Sequence, residues 1–115
     1  MAALNQDFEL FAGEDATVSV VVYDGETNTP RNISGFQIRW VAISQRTCGI
    51  VLMKDSMEGI EIQDPETGIF YIPLSNEETK LIPPGRYDHH ATVTDLLGNV
   101  SVVTVGVMTI KFLGG

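Results

Sequence analysis

Two histidines, one cysteine and a scatter of carboxylates are the side chains of this chain that could do chemistry. His89 and His90 stand next to each other, and imidazoles both ligate metals and exchange protons near neutral pH. Their spacing argues against a shared ion. In a strand, neighbouring side chains point to opposite faces, so one metal cannot take both. The expectation is that His89 lies on the face of Tyr87 and Ala91, partly buried with a hydrogen-bond partner, while His90 is solvated. Cys48 falls in the turn Arg46-Thr47-Cys48-Gly49. Being single, it excludes an internal disulfide and any zinc site built on several cysteines.

The carboxylates are divided among turns: Asp24 with Glu26, Asp64 with Glu66, and Asp95. Calcium needs about six to eight oxygens converging on one point, and the D-x-D-x-D-G loop that supplies them is missing. Turns favour Asp for backbone reasons alone. There is no G-x-S-x-G elbow for a nucleophilic serine. Neither of the glycine-rich loops that cradle phosphates, G-x-x-x-x-G-K-[ST] and G-x-G-x-x-G, is present. The residues therefore give no catalytic, cofactor or metal site, and the expectation is a protein that is not an enzyme.

Charge narrows the partners. Fifteen acidic against seven basic residues leave a net charge of −8, the wrong sign for phosphate backbones or anionic lipid surfaces. No apolar run approaches the ~20 residues of a membrane helix. Nucleic acid and membrane are thus excluded as expected partners. Met1 to Asp7 carry neither the basic start nor the apolar core of a secretion signal, which predicts synthesis in a cytoplasm. Asn32-Ile33-Ser34 then matches a glycosylation sequon by chance.

The elements that would position these residues are strands. Apolar runs recur at short intervals, split by turn chemistry, across a chain of 115 residues, which suits one domain over 1-115. Phe8, Leu10 and Phe11 form a first strand. Thr17 to Tyr23 is β-branched nearly throughout, with Val18, Val20 and Val22 on one face. A polar connection from Asp24 to Gly35 leads to Phe36-Gln37-Ile38-Arg39-Trp40, where Phe36, Ile38, Trp40 and Ala42 face one way and Gln37 and Arg39 the other. Ile50 to Lys54 and Gly59 to Gln63 are short strands or one broken strand. Asp64-Pro65-Glu66-Thr67-Gly68 is a hairpin-like turn into Ile69 to Leu74. Ser75 followed by Glu78 is a capping box, and Pro83-Pro84 stops the helical turn it starts. Tyr87, His89, Ala91 and Val93 share a face, with Tyr87 placed as a corner residue whose hydroxyl bonds nearby backbone. About seven strands and one short helical turn predict an all-β, immunoglobulin-like two-sheet sandwich.

The order of these parts is Asp7-Phe8, Ala12-Gly13-Glu14-Asp15, Pro30 to Gly35, then the Trp40 strand. Gly59 to Phe70, an acidic helical turn, Pro84-Gly85-Arg86-Tyr87, Val93-Thr94-Asp95 and a Val/Thr-rich strand follow. That order resembles small tail-associated and fibre-adaptor proteins of bacteriophages and prophages. It is also similar to the N-terminal, tail-attaching domain of phage upper baseplate proteins. The resemblance covers almost the whole chain and rests on short turn motifs. It implies a virion building block without enzymatic activity, made in the host cytoplasm and joined to other tail, neck or head proteins. No shaft or head follows the sandwich before Gly115, so an adaptor or decoration role is expected in place of host-receptor binding.

The last strand sharpens that expectation. Val100 to Phe112 is apolar on both faces, with Val103, Val105 and Val107 set against Val102, Met108 and Ile110. Bare, such a strand is an aggregation hazard. Either it is central in a sheet covered on both faces, or crosses between sheets inside one monomer at a bend near Gly106, or a neighbouring subunit covers one face. The last alternative makes the chain a homo-oligomer and gives Phe8, Phe11, Val103, Val105 and Val107 as the candidate assembly interface. A rival reading is a carbohydrate- or host-receptor-binding module, which needs an exposed aromatic platform such as Trp40 or Tyr71. A bacterial immunoglobulin-like surface module is disfavoured by the missing export signal.

Overall fold

A computed structural model describes residues 4–23 and 29–112. Alternating and β-branched runs form the strands β1 (Leu4–Asn5), β2 (Phe8–Phe11), β3 (Ala16–Val21), β4 (Gln37–Ser44) and β5 (Ile50–Asp55). They continue with β6 (Ile69–Leu74), β7 (Gly85–Thr94) and β8 (Val100–Lys111); a one-turn helix α1 (Asn76–Lys80) lies between β6 and β7. The larger sheet runs β1-β8-β7-β4-β5, and β2 continues along β8 beyond β1. The pairs β4-β5, β4-β7 and β7-β8 are antiparallel, whereas β1 and β2 lie parallel to β8. The smaller sheet is the antiparallel pair β3-β6. With β1 and β2 counted as two pieces of one edge strand, this is a seven-stranded, immunoglobulin-like sandwich.

Period-two alternation decides what lies between the sheets. Val18 and Val20 from β3, and Phe70, Ile72 and Leu74 from β6, pack against Ile38, Trp40 and Ala42 from β4. Tyr87, Ala91 and Val93 complete this layer from β7, as the alternation of that strand predicts. Trp40 has no exposed surface, so it is the large central piece of the core.

Turn chemistry holds the ends. The Asp64 carboxylate accepts from the Glu66 amide and starts a 3-10 turn over Pro65–Thr67, which Gly68 ends at φ 72. A Cβ there would sit 2.7 Å from the Arg31 carbonyl oxygen, so the position requires glycine. Ser75 and Glu78 form the reciprocal capping box of α1. Glu78 also meets the Lys54 ammonium at 2.8 Å, tying the edge strand β5 to α1. Partial burial pushes the Glu78 carboxyl up, but Lys54 and the Ser75 amide outweigh it and hold it below the usual range. The Tyr87 hydroxyl donates to the Pro83 carbonyl, the corner bond anticipated for it.

Two expectations need correction. Gly59 to Gln63 is not a strand of either sheet; it makes only the isolated bridges Asp55↔Gly59 and Glu61↔Tyr71. The second concerns β8, which does not cross between sheets and is central in its sheet. It stays in the larger sheet between β7 and the β1-β2 strand. Its apolar residues on both sides come from a bulge. Ala91 pairs with Thr104 and Thr92 with Val102, which leaves Val103 as the extra residue. An extra residue reverses the facing of everything beyond it. Val103 therefore points inward with Met108 and Ile110, each at 2% exposure or less, and Val102 shares the outer side with Val105. Val103 is thus a core residue and cannot belong to a docking surface. Part of the Asp24 to Gly35 connection, residues 24–28, lies outside the described residues.

Candidate assembly surface

Apolar side chains remain uncovered in turns and at strand ends, at Met57, Leu81, Leu96, Leu97, Val100 and Phe112, and within the strands on the outer side of the larger sheet. Register places Met53, Val41, His90 and Val105 in one row across β5, β4, β7 and β8. The next row is Ile50, Ile43, Asp88 and Val107. A third runs Asp55, Arg39, Thr92 and Val102. Ile50, Met53, Val102 and Val105 are 58%, 52%, 42% and 39% exposed. Val41, by contrast, is buried within its own row, although it faces outward. The Arg39 guanidinium lies 2.9 Å from the Met53 sulfur.

A second bulge helps build this face. Ala42 pairs with Leu52 and Ile43 with Ile50, so Val51 is the extra residue of β5. Val51 and Leu52 both pack against the core, and Ile50 and Met53 are left outside. The same device therefore acts in β5 and in β8: one inserted valine turns inward and the apolar residue before it turns out.

The five residues expected at the interface divide. Val105 and Val107 stand on the outer face, half or more covered by their neighbours. Phe11 is 38% exposed at the sheet edge, with the Lys111 ammonium 6.0 Å from its ring centre. Phe8 packs against the core, its ring edge-on to His89 at 4.9 Å. Val103 is internal. The sequence reading missed Val41, Ile43, Ile50 and Met53. The signal was present in β4, where Val41 and Ile43 interrupt the polar side begun by Gln37 and Arg39.

The groups with titration chemistry are arranged for structure. His89 is buried at 2% exposure, more fully than the partial burial anticipated. The Trp40 indole N–H donates to its Nδ1 at 3.2 Å, and its Nε2 lies 2.6 Å from the Gln6 carbonyl oxygen. His90 is on the other face, partly exposed. Cys48 is exposed in its turn at φ 60. The Asp95 carboxylate caps the β7–β8 turn: the Asn99 amide, above all, with the Leu97 amide and Arg31, holds it below the usual carboxylate range. Among the described residues, no three His, Cys, Asp or Glu are placed to hold a metal ion.

No protein-family model matches the chain, and no curated protein does. Among solved structures, the chain is similar to CopC from Methylosinus trichosporium OB3b. The TM-score is 0.53 at 11% identity, covering 99% of this chain and 89% of that one. Murine CRIg is more distant, with a TM-score of 0.45 at 10% identity over 94% of this chain and 92% of that one. The CopC likeness is one of fold, and the fold shown is an immunoglobulin-like β-sandwich.

Proposed function

We propose that this chain is a non-enzymatic bacteriophage virion structural protein, a tail, baseplate or fibre adaptor or decoration component that works through protein–protein contacts. The observation that carries the reading is the uncovered apolar face of the larger sheet on a chain of net charge −8. Apolar side chains gathered on one sheet face fit a site that another protein covers. The order of turn motifs, which resembles phage tail-attaching domains, supplies the virion context. Burial of Ile50, Met53, Val102 and Val105 against a neighbouring subunit gives the contact its energy, about 25 cal/mol for each Å² of apolar surface removed from water.

The rival, a sugar- or receptor-binding module, loses its best platform, because Trp40 is fully buried. Light scattering across a concentration series tests the assembly reading. A closed oligomer is expected, and Val105→Lys reduces it to single chains without changing the circular dichroism. A monomer at high concentration overturns self-assembly through this face. Antibody labelling of purified phage particles tests the virion reading, which a label absent from every particle overturns.

A further inference from the structure

The strand β1-β2 is broken at Gln6 and Asp7, and the break is held by backbone and side-chain hydrogen bonds. The Gln6 amide nitrogen donates to the Val105 carbonyl at 2.7 Å, and the Asp7 carboxylate accepts from the Val107 amide at 2.9 Å. The Gln6 side chain bridges the two sheets, donating to the Ser19 carbonyl at 2.9 Å and accepting from the Thr104 hydroxyl at 3.3 Å. The Gln6 carbonyl is left to His89. Gly106 makes room for that carbonyl, since a Cβ there would lie 2.3 Å from its oxygen.

The hydrogen bonds fix the tautomer of His89. An indole N–H can only donate, so the Nδ1 facing Trp40 must carry a lone pair. Nε2 therefore carries the proton and donates to the Gln6 carbonyl. A second proton would set an N–H on Nδ1 against the N–H of Trp40. Turning the ring over does not help, because both nitrogens of the cation are donors.

We propose that His89 is a proton-operated latch on the N-terminal strand: the neutral imidazole holds β1-β2 against β8, and a second proton at Nδ1 releases it. The charged groups facing the ring are few. Burial opposes the cation most strongly and His90 adds to that, while the Gln6 carbonyl and Asp7, from the strand being held, and Asp88, on β7, favour it. β4 contributes the Trp40 donor, β8 contributes Gly106 opposite His89, and β2 contributes the Phe8 ring. A buried cation without acceptors on both sides is costly and must reach water. Its cover is Gln6 to Phe8, part of a short, interrupted edge strand that opens more readily than the β4-β7-β8 ladders. Opening bares the outer edge of β8, a template for another extended strand. The latch would thereby control strand pairing at this edge, and it does not depend on the virion reading.

The test is amide hydrogen exchange by NMR on the whole chain between pH 7.5 and 5. The Gln6 and Ala12 amides, bonded to the Val105 and Lys111 carbonyls, report on the latch; the Trp40 and Ala91 amides report on the body. After correction for intrinsic rates, the two latch amides should exchange about ten- to thirtyfold faster at pH 5, the range one proton allows below a reference pKa of about 6.5. The body amides should not follow. The acceleration should persist in His90→Asn and vanish in His89→Gln. Should His89→Gln not fold, the ¹⁵N imidazole shifts of the unaltered protein decide. Their midpoint must match that of the strand's exchange. Flat exchange, whether or not His89 titrates, or a rise shared equally by the body amides, overturns the latch.

Discussion

His89 and His90 are joined by one peptide bond and lie in different solvents. His89 is sealed between Trp40, Phe8 and the Gln6 carbonyl. His90 stands outside between Val41 and Val105, facing whatever covers the sheet. Residue type is identical, and both lie in the strand β7. The strand's period of two is what makes one ring a structural hydrogen-bond relay and the other a surface group. The two sides of the larger sheet show the same division on a larger scale, and two bulges decide which valine belongs to which side.

Gly106→Ala should break the inner side hardest. Its Cβ would meet the Gln6 backbone at 2.3 Å, and neither partner is a flexible side chain. A loss of about 2–4 kcal/mol is expected from urea denaturation, from strain and the displaced edge strand.

His89→Ala comes next, at about 2–3 kcal/mol, because the Trp40 N–H and the Gln6 carbonyl lose their partner inside the protein. His90→Ala should stay within about 0.5 kcal/mol, as exposed substitutions do. Acidity separates the pair as well. Burial above all pushes His89 below the ordinary imidazole range, although the Gln6 carbonyl and nearby carboxylates resist. The unfolded chain therefore takes up this proton before the folded chain does. Its contribution is complete above a pH of about 6.5 and is lost as pH falls from there toward the lower folded value. Stability measured from pH 8 to 5 should fall in the unaltered protein and in His90→Ala, and should fall less in His89→Ala.

The smallest contrast sharpens the bulge. Val103→Ala should cost about 1.5 kcal/mol through lost burial and a small cavity. Val105→Ala should cost about 0.5 kcal/mol or less in the isolated chain. Equal losses in thermal unfolding would mean that the bulge does not separate the two valines.

How far these features were legible follows from the range of the interactions behind them. The Phe36-Ile38-Trp40-Ala42 and Tyr87-His89-Ala91-Val93 faces came from alternation, and all eight are buried. The Ser75–Glu78 capping box came from a spacing of three residues and the Tyr87 corner bond from the place of Tyr87 after Pro84-Gly85-Arg86, and both are present. Val103 was placed on the wrong side because a bulge appears only when β8 is set in register with β7. Gln6 passed unnoticed for a similar reason. Nothing near it in sequence announces a side chain that joins Ser19 to Thr104.

The sequence by itself determined the class of fold, the core-facing side of each regular strand, the turn and cap residues, and the opposed directions of His89 and His90. All of these follow from local backbone geometry. Only the tertiary structure decided that the first strand lies parallel on the last, that β8 is interior to its sheet, and that Val51 and Val103 turn inward. It also decided the tautomer of His89, which depends on a donor 49 residues away and an acceptor 83 residues away. Register between distant strands sets these features, and pairing of that kind depends on which segments meet once the core is buried.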